Sequence, residues 1–190
     1  VSSLAIARPE EQTIYFIDQN ISAFEAGGLQ PWHIAVHELV HFAQYKYCSS
    51  FASSSIDEHL VRYALSEGEA DLAALVVDCN VRGHDLSDST TEDAIARINT
   101  LFKRPSGSLY EVGLRVLFPA YKSGGWDAVR HYVASPLCSL EELLHEEKYG
   151  RDTPTIIELC PWPKERGDIA FSYGDTWGEG GIASLLPLSM

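Results

Sequence analysis

Apolar residues recur at helical spacing along most of the chain, and one stretch near the N-terminus instead has the pattern of a strand. Residues 13–18, TIYFID, are rich in β-prone side chains and partly alternate, which predicts a strand at a sheet edge. Pro31 then predicts the start of a helix that ends near Tyr47.

Several further helices follow from capping signals. Ser55, Thr90 and Ser139 each stand three residues before an acidic residue, the pattern of a capping box at a helix start. We expect Pro119 to kink or stop the helix that contains it. Helices are predicted over about 55–83, 90–102, 109–121, 124–135, 139–148 and 176–186.

The predicted fold class is α+β, mostly α-helical, with a small N-terminal sheet. The chain has 190 residues, enough for one domain with its own core. We expect a single domain over residues 1–190. Its parts are a strand and the first helix over about 1–50, a second helix over 55–83, and a helical C-terminal part over 90–190.

The charge and the hydropathy of the chain limit the classes of partner that it is expected to bind. The net charge of −13 predicts no nucleic-acid partner and no attraction to an anionic membrane. The longest apolar runs, such as 72–77, are too short to span a bilayer. No signal-peptide pattern stands at the start, and the chain begins with Val1, so removal of a signal stays open.

The four cysteines are not arranged as a zinc ribbon or a redox dithiol, because no CxxC pair occurs. An even count permits two disulfides, and free buried cysteines are the alternative. The cysteines are Cys48, Cys79, Cys138 and Cys160.

The sequence AVHELVH, residues 35–41, carries the first candidate chemistry. His37 and His41 are four apart, so on a helix they lie on one face and can direct both imidazoles at one metal ion. Glu38 lies about 100° further round, where a general base for a metal-activated water belongs. The alternative is a surface helix with two unrelated histidines. We expect the helix to be buried through Leu39, Val40, Phe42 and Ala43.

A catalytic zinc site usually has three protein ligands, so a third ligand is needed. The extended pattern HExxHxxGxxH is excluded, because Gln44 and Tyr47 occupy its glycine and histidine positions. The sequence EGEAD offers Glu67 and, one turn on, Asp71, which share a face of the second predicted helix. Glu67 would ligate the metal, and Asp71 could accept a hydrogen bond from the other ring nitrogen of a histidine.

Two further expectations concern the same helix. Gly68 lowers helix propensity, so we expect another segment to approach closely there. Glu69 lies about 200° from Glu67 and should point elsewhere. The alternative for Glu67, Glu69 and Asp71 is a solvated acidic face.

HELVH followed by EGEAD resembles the gluzincin metallopeptidases, the thermolysin-like clan, over about residues 30–80. The resemblance implies a compact zincin domain that binds one Zn²⁺ and hydrolyses peptide or protein substrates. It implies His37, His41 and Glu67 as zinc ligands, Glu38 as general base, and Asp71 as a hydrogen-bonding partner of a ligand. Glu67 follows His41 by 26 residues, a spacing compatible with that family.

The family also supplies a donor to the oxyanion from a Tyr or His on the C-terminal side. Tyr110 stands about where the family places it, and His131, His145 and Tyr149 are weaker candidates. An ordinary packed aromatic residue is the alternative for each. The remaining histidines are interpreted as surface or core residues: His33, His59 and His84.

Three functions are compatible with these features of the sequence. The first is an active zinc metallopeptidase, which the presence of Glu38 favours. The second is a non-catalytic zinc-binding or partner-binding domain, for which the scarcity of sheet leaves room. The third is a helical interaction domain without metal. Substrate, disulfide state and oligomeric state are not determined by the sequence.

Overall fold

The structure is a computed structural model that describes residues 5–17, 29–47, 55–104, 106–134, 139–148 and 151. Its strands are β1 (Ala5–Arg8) and β2 (Thr13–Phe16). Its helices are α1 (Pro31–Tyr47), α2 (Ile56–Arg82), α3 (Thr91–Phe102), α4 (Leu109–Ala134) and α5 (Leu140–Leu144). The predicted helix at 176–186, Tyr149, Cys48, Cys138 and Cys160 lie outside the described residues.

The chain divides into two compact units. The first comprises Val1–Phe51 and Arg62–Pro136, and the second comprises Ala52–Val61 and Leu137–Met190. The predicted class of a mostly helical protein with a small N-terminal sheet is confirmed. No helix in the described part of the chain is both long and apolar enough to cross a membrane.

The sheet is an antiparallel hairpin of two strands. β1 pairs with β2 in a register that runs from Ala5 opposite Phe16 to Arg8 opposite Thr13. A 3₁₀ turn over Pro9–Glu11 and the left-handed Gln12, at φ 52°, connect them. The strand predicted from TIYFID is therefore confirmed over Thr13–Phe16.

Helix starts follow the predicted capping residues. Thr90 and Ser139 form complete capping boxes with Asp93 and Glu142, and the backbone N–H of Glu58 donates to Ser55 Oγ at 3.1 Å. Caps specify where a helix begins, because they satisfy backbone N–H groups that have no partner inside the helix.

α2, which belongs to the first unit from Arg62 onwards, has more buried residues than any other described helix. Its apolar residues are buried on several sides, as are four of its acidic residues, Asp57, Glu69, Asp71 and Asp78. It ends where Gly83 adopts φ 68°, and the N–H of His84 donates to the carbonyl of Cys79 at 2.8 Å. This left-handed closure is the usual use of glycine after a helix. Cys79 is a free, buried thiol.

α1 buries mainly polar residues, with Ile34 as a buried apolar residue among the described ones. His33, His37 and Gln44 are buried at helical spacing, whereas Leu39 is 56% exposed. The expectation that Leu39 and Ala43 would bury the helix is wrong, since both are exposed. The polar stripe formed by His33, His37 and Gln44 is stabilised because acidic residues of α2 lie opposite it. These are Asp78 at His33, Asp71 at His37 and Glu69 at Gln44.

A close contact between α2 and α4 explains Gly68. A side chain on Gly68 would place its Cβ only 2.5 Å from the carbonyl carbon of Gly113, and one on Gly113 would meet the carbonyl oxygen of Ala64 at 1.8 Å. The predicted close approach at Gly68 is confirmed. The two glycines let the helix backbones touch one turn after Tyr110 and directly after Glu67.

Two predicted helix ends are wrong. α4 continues through Pro119 and breaks instead at Gly125, at φ 63° and ψ −155°. Proline has a helical φ, whereas this backbone geometry is readily adopted only by glycine.

In the second unit, α5 ends at Leu144 rather than near Lys148. His145 is extended there, and a 3₁₀ turn follows over Glu146–Lys148. The capping box at Ser139 determines the start of this helix and not its length. The backbone N–H of Leu140 donates to the buried carboxylate of Asp57 at 3.1 Å within the same unit.

Candidate metal centre

Three side chains of the first unit converge as the sequence predicts. His37 Nε2 lies 3.1 Å from Glu67 Oε2, and His41 Nε2 lies 3.8 Å from the same oxygen. One donor atom from each residue lies within 4.8 Å of both others, and among the described residues this is the group that could hold a metal ion. The solvated acidic face is excluded for these residues, since Glu67 is largely buried and Glu69 and Asp71 are fully so.

The spacing suits a tetrahedral ion. Ligand bonds near 2.1 Å at tetrahedral angles would place donor atoms about 3.4 Å apart. The observed 3.1 and 3.8 Å bracket that value. Two imidazole nitrogens and one carboxylate oxygen are a donor set typical of catalytic zinc.

Gln44 sets the tautomer of His41. The amide Nε2 of Gln44 donates to the carbonyl of Ser66 at 2.9 Å and to Glu69 Oε2 at 2.8 Å, and both of these groups only accept. The Gln44 Oε1 atom must therefore face His41 Nδ1, at 2.8 Å. Hence His41 Nδ1 carries a proton, and in the neutral ring the lone pair lies on Nε2, the atom 3.8 Å from Glu67 Oε2.

This network gives roles to residues that the sequence did not assign. From the sequence, Gln44 is only the residue that occupies the glycine position of HExxHxxGxxH, and Glu69 is only a residue that should point away from Glu67. Ser66 Oγ also donates to Gln44 Oε1, at 2.6 Å. The one sequence signal was the position of Gln44, three residues after His41 and so on the same helix face.

Asp71 lies beside the other nitrogen of His37. Its Oδ1 atom is 3.0 Å from His37 Nδ1, but off the hydrogen-bond direction, and neither buried atom has a hydrogen-bond partner. An ion on Nε2 would require the proton on Nδ1, which is where Asp71 could accept it. The second carboxylate oxygen of Asp71 pairs with Arg104, another residue that the sequence did not single out.

The electrostatics of His37 favour positive charge. Burial alone would lower its pKa, but the carboxylates of Asp71 and Glu67 outweigh burial and raise the pKa from 6.5 to about 9. The two carboxylates therefore stabilise a cation at this ring, and a metal ion would compete with the proton for Nε2.

Glu38, the predicted general base, is 8% exposed. None of the described residues forms a hydrogen bond or an ion pair with it, so its carboxylate is not committed to another side chain. It directly follows His37 on α1, which places its Cα next to a ligand without giving it the ligands' helix face.

Tyr110, the predicted oxyanion donor, contacts the centre. Its ring stacks on His37 with centroids 6.4 Å apart, and the guanidinium of Arg104 lies 3.9 Å from its centroid. Burial and then the negative charge of Glu67 raise the pKa of Tyr110, so its hydroxyl stays protonated. The hydroxyl lies 2.9 Å from that of Tyr63.

The weaker donor candidates lie at the end of α4, in the second unit, or outside the described residues. His131 lies near the end of α4, where its ring contacts Tyr132. His145 belongs to the second unit and is the residue after α5. His33, interpreted as a surface or core residue, is buried and pairs with Asp78 at 2.8 Å.

No family model, curated protein or solved structure matches this chain.

Proposed function

We propose that this protein is a zinc-dependent peptidase, in which His37, His41 and Glu67 hold one Zn²⁺ and Glu38 acts as general base. The observation that carries the proposal is the convergence of three ligand atoms, with an uncommitted carboxylate on Glu38, the residue directly after the ligand His37. The resemblance of HELVH and EGEAD to the gluzincin pattern, HExxH with a downstream ExxxD, supports the same assignment.

The chain's own residues have distinct tasks. Zinc at this place would supply Lewis acidity, which acidifies water and polarises a peptide carbonyl. Glu38 would accept the proton of the attacking water and deliver it to the leaving amine. Gln44 holds His41 in the ligating tautomer, and Asp71 would accept the Nδ1 proton of His37 once Nε2 is a ligand. Tyr110 would donate to the oxyanion.

A role in binding alone would not require Glu38 at this position. A non-catalytic zinc domain stays the alternative, and the same experiment distinguishes it. We infer peptide or protein substrates from the proposed chemistry, and no nucleic acid from the net charge of −13.

The test combines metal content with peptide-library hydrolysis for three proteins: the wild type, Glu38→Gln, and the control Glu10→Gln. Glu10 lies on an exposed turn of the first unit. We expect one zinc per chain in all three, and a loss of activity of about 10³-fold only in Glu38→Gln. Zinc without hydrolysis in the wild type would support the non-catalytic alternative, and absence of zinc binding would overturn both.

A further inference from the structure

Tyr63 forms a pair with Tyr110 at the edge of the metal centre. The two hydroxyl oxygens are 2.9 Å apart, and the rings meet edge to face with centroids at 5.7 Å. Tyr63 lies on α2 one turn before Glu67, so the same helix carries a ligand and one member of this pair.

The two tyrosines are not equivalent. The Tyr110 ring stacks on His37 and lies under Arg104, whereas the described ring contact of Tyr63 is with Tyr110 itself. Tyr63 is also 38% exposed. Tyr110 is therefore the member whose ring belongs to the centre, and Tyr63 is its outer neighbour.

A phenol has one proton to donate and can also accept. If Tyr110 donated to Tyr63, its proton would be committed away from a substrate. If Tyr63 donates to the oxygen of Tyr110, the Tyr110 proton is free, and that oxygen is polarised into a stronger donor.

We propose that Tyr63 is a positioning residue, which donates to Tyr110 and thereby directs the Tyr110 hydroxyl at an anionic oxygen in the centre. This inference rests on the proposed function and deepens it. The close contact of Gly68 with Gly113 supports the pair, because it fixes α2 against α4 within one to two turns of both tyrosines.

The test is a double-mutant cycle on the affinity of zinc-loaded protein for inorganic phosphate, a small tetrahedral anion. The variants are Tyr63→Phe, Tyr110→Phe and the double variant, with Tyr45→Phe as control because Tyr45 is an exposed tyrosine of α1. Isothermal titration measures phosphate affinity, and zinc affinity is measured in parallel for every variant.

We expect phosphate affinity to fall about tenfold in Tyr110→Phe and about threefold in Tyr63→Phe. The double variant should equal Tyr110→Phe, because Tyr63 acts through Tyr110. Zinc affinity should be unchanged, as should phosphate affinity in Tyr45→Phe. Additive losses would mean that Tyr63 contacts the anion itself, and no loss in Tyr63→Phe would mean that it does not orient Tyr110. Either result overturns the inference.

Peptide hydrolysis separates this inference from the proposed function. If the cycle holds but no peptide is cleaved, the peptidase proposal fails and the orienting role of Tyr63 stands. If peptides are cleaved in a Glu38-dependent way but Tyr63→Phe matches the wild type in kcat and in phosphate affinity, the peptidase proposal stands and the orienting role of Tyr63 fails. A lowered kcat with unchanged KM in Tyr63→Phe is the expected result.

Discussion

His33 and His37 lie one turn apart on α1, and each faces a buried aspartate of α2 that also pairs with an arginine. At the first position, His33 Nε2 and Asp78 Oδ1 are 2.8 Å apart. At the second, His37 Nδ1 and Asp71 Oδ1 are 3.0 Å apart. We call the first group the His33 cluster, formed by His33, Asp78, Arg82 and Arg97, and the second the His37 cluster, formed by His37, His41, Glu67, Asp71 and Arg104.

The His33 cluster is satisfied by its own residues. The N–H of Gln30 donates to His33 Nδ1 at 2.9 Å, so the proton on Nε2 is donated to Asp78. Arg82 and Arg97 also donate to Asp78, each at 2.7 Å. Both ring nitrogens of His33 therefore have partners, and both carboxylate oxygens of Asp78 accept hydrogen bonds.

The His37 cluster is differently arranged, although it uses the same residue types. Two imidazole Nε2 atoms share one carboxylate oxygen, and two buried atoms lack hydrogen bonds. Buried polar atoms are normally paired, so these two atoms need an explanation, and the metal ion proposed above on Nε2 of His37 would supply one. In this chain the same residue types are therefore structural at His33, where they satisfy one another, and a candidate site at His37, where they do not.

The largest expected effect contrasts the two histidines by their response to zinc. With zinc at about a thousandfold excess over its dissociation constant, the free energy of unfolding should rise by about 4 kcal/mol. His37→Gln should abolish this rise, because it removes a ligand. His33→Gln should lower stability without zinc and keep the full rise. Urea unfolding with zinc or with chelator measures both, and a zinc response in His37→Gln would contradict the assignment.

The next largest effect is expected when the central acceptor of the His33 cluster is removed. Asp78→Ala should destabilise the metal-free protein by about 3 kcal/mol, because it leaves a buried histidine and two arginines without their acceptor. Zinc affinity should not change. Asp88→Ala, in the exposed loop after α2, is the matched control and should be nearly neutral. A change in zinc affinity in Asp78→Ala would show that the two clusters are coupled.

The pH dependence of the His33 cluster gives a somewhat smaller effect. Burial would raise the pKa of Asp78, but the hydrogen bonds that it accepts outweigh burial and lower the pKa from 3.8 to about 2. A depressed pKa stabilises the folded protein above pH 3.8, and this contribution is lost as pH falls towards 2. It amounts to about 2 kcal/mol.

Unfolding of chelator-treated protein at pH 4.5 and pH 2 tests this loss. The wild type should lose about 2 kcal/mol more than Asp78→Asn over that interval. Equal losses in the two proteins would show that Asp78 does not carry the predicted acid sensitivity.

The smallest effect concerns the support of His41. Gln44→Met keeps the size of the side chain but removes the acceptor of His41 Nδ1, so zinc affinity should fall about tenfold. Ser66→Ala is the control, because it removes another donor to the same Gln44 oxygen and leaves the contact with His41. Competition with a chromophoric chelator measures both, and equal affinities in the two variants would contradict the role of Gln44.

Much of the local structure could be predicted from the sequence, since its causes are local. The capping residues Thr90 and Ser139, and the pairing of His37 with His41, depend only on helical spacing. The error at Pro119 has a local cause too: its φ is compatible with a helix, whereas Gly125 leaves the helical region.

Helical spacing in the sequence indicates which residues can share a site, because side chains four apart on one helix lie on one face. The tertiary structure alone decided which of them do. It brought Asp71 to His37 and Asp78 to His33, paired Tyr63 with Tyr110 across a contact of two glycines, and added Arg104 and Gln44. Except for Gln44, which shares α1 with His41, these neighbours come from separate segments of the chain, and helical periodicity carries no information about which segment lies opposite.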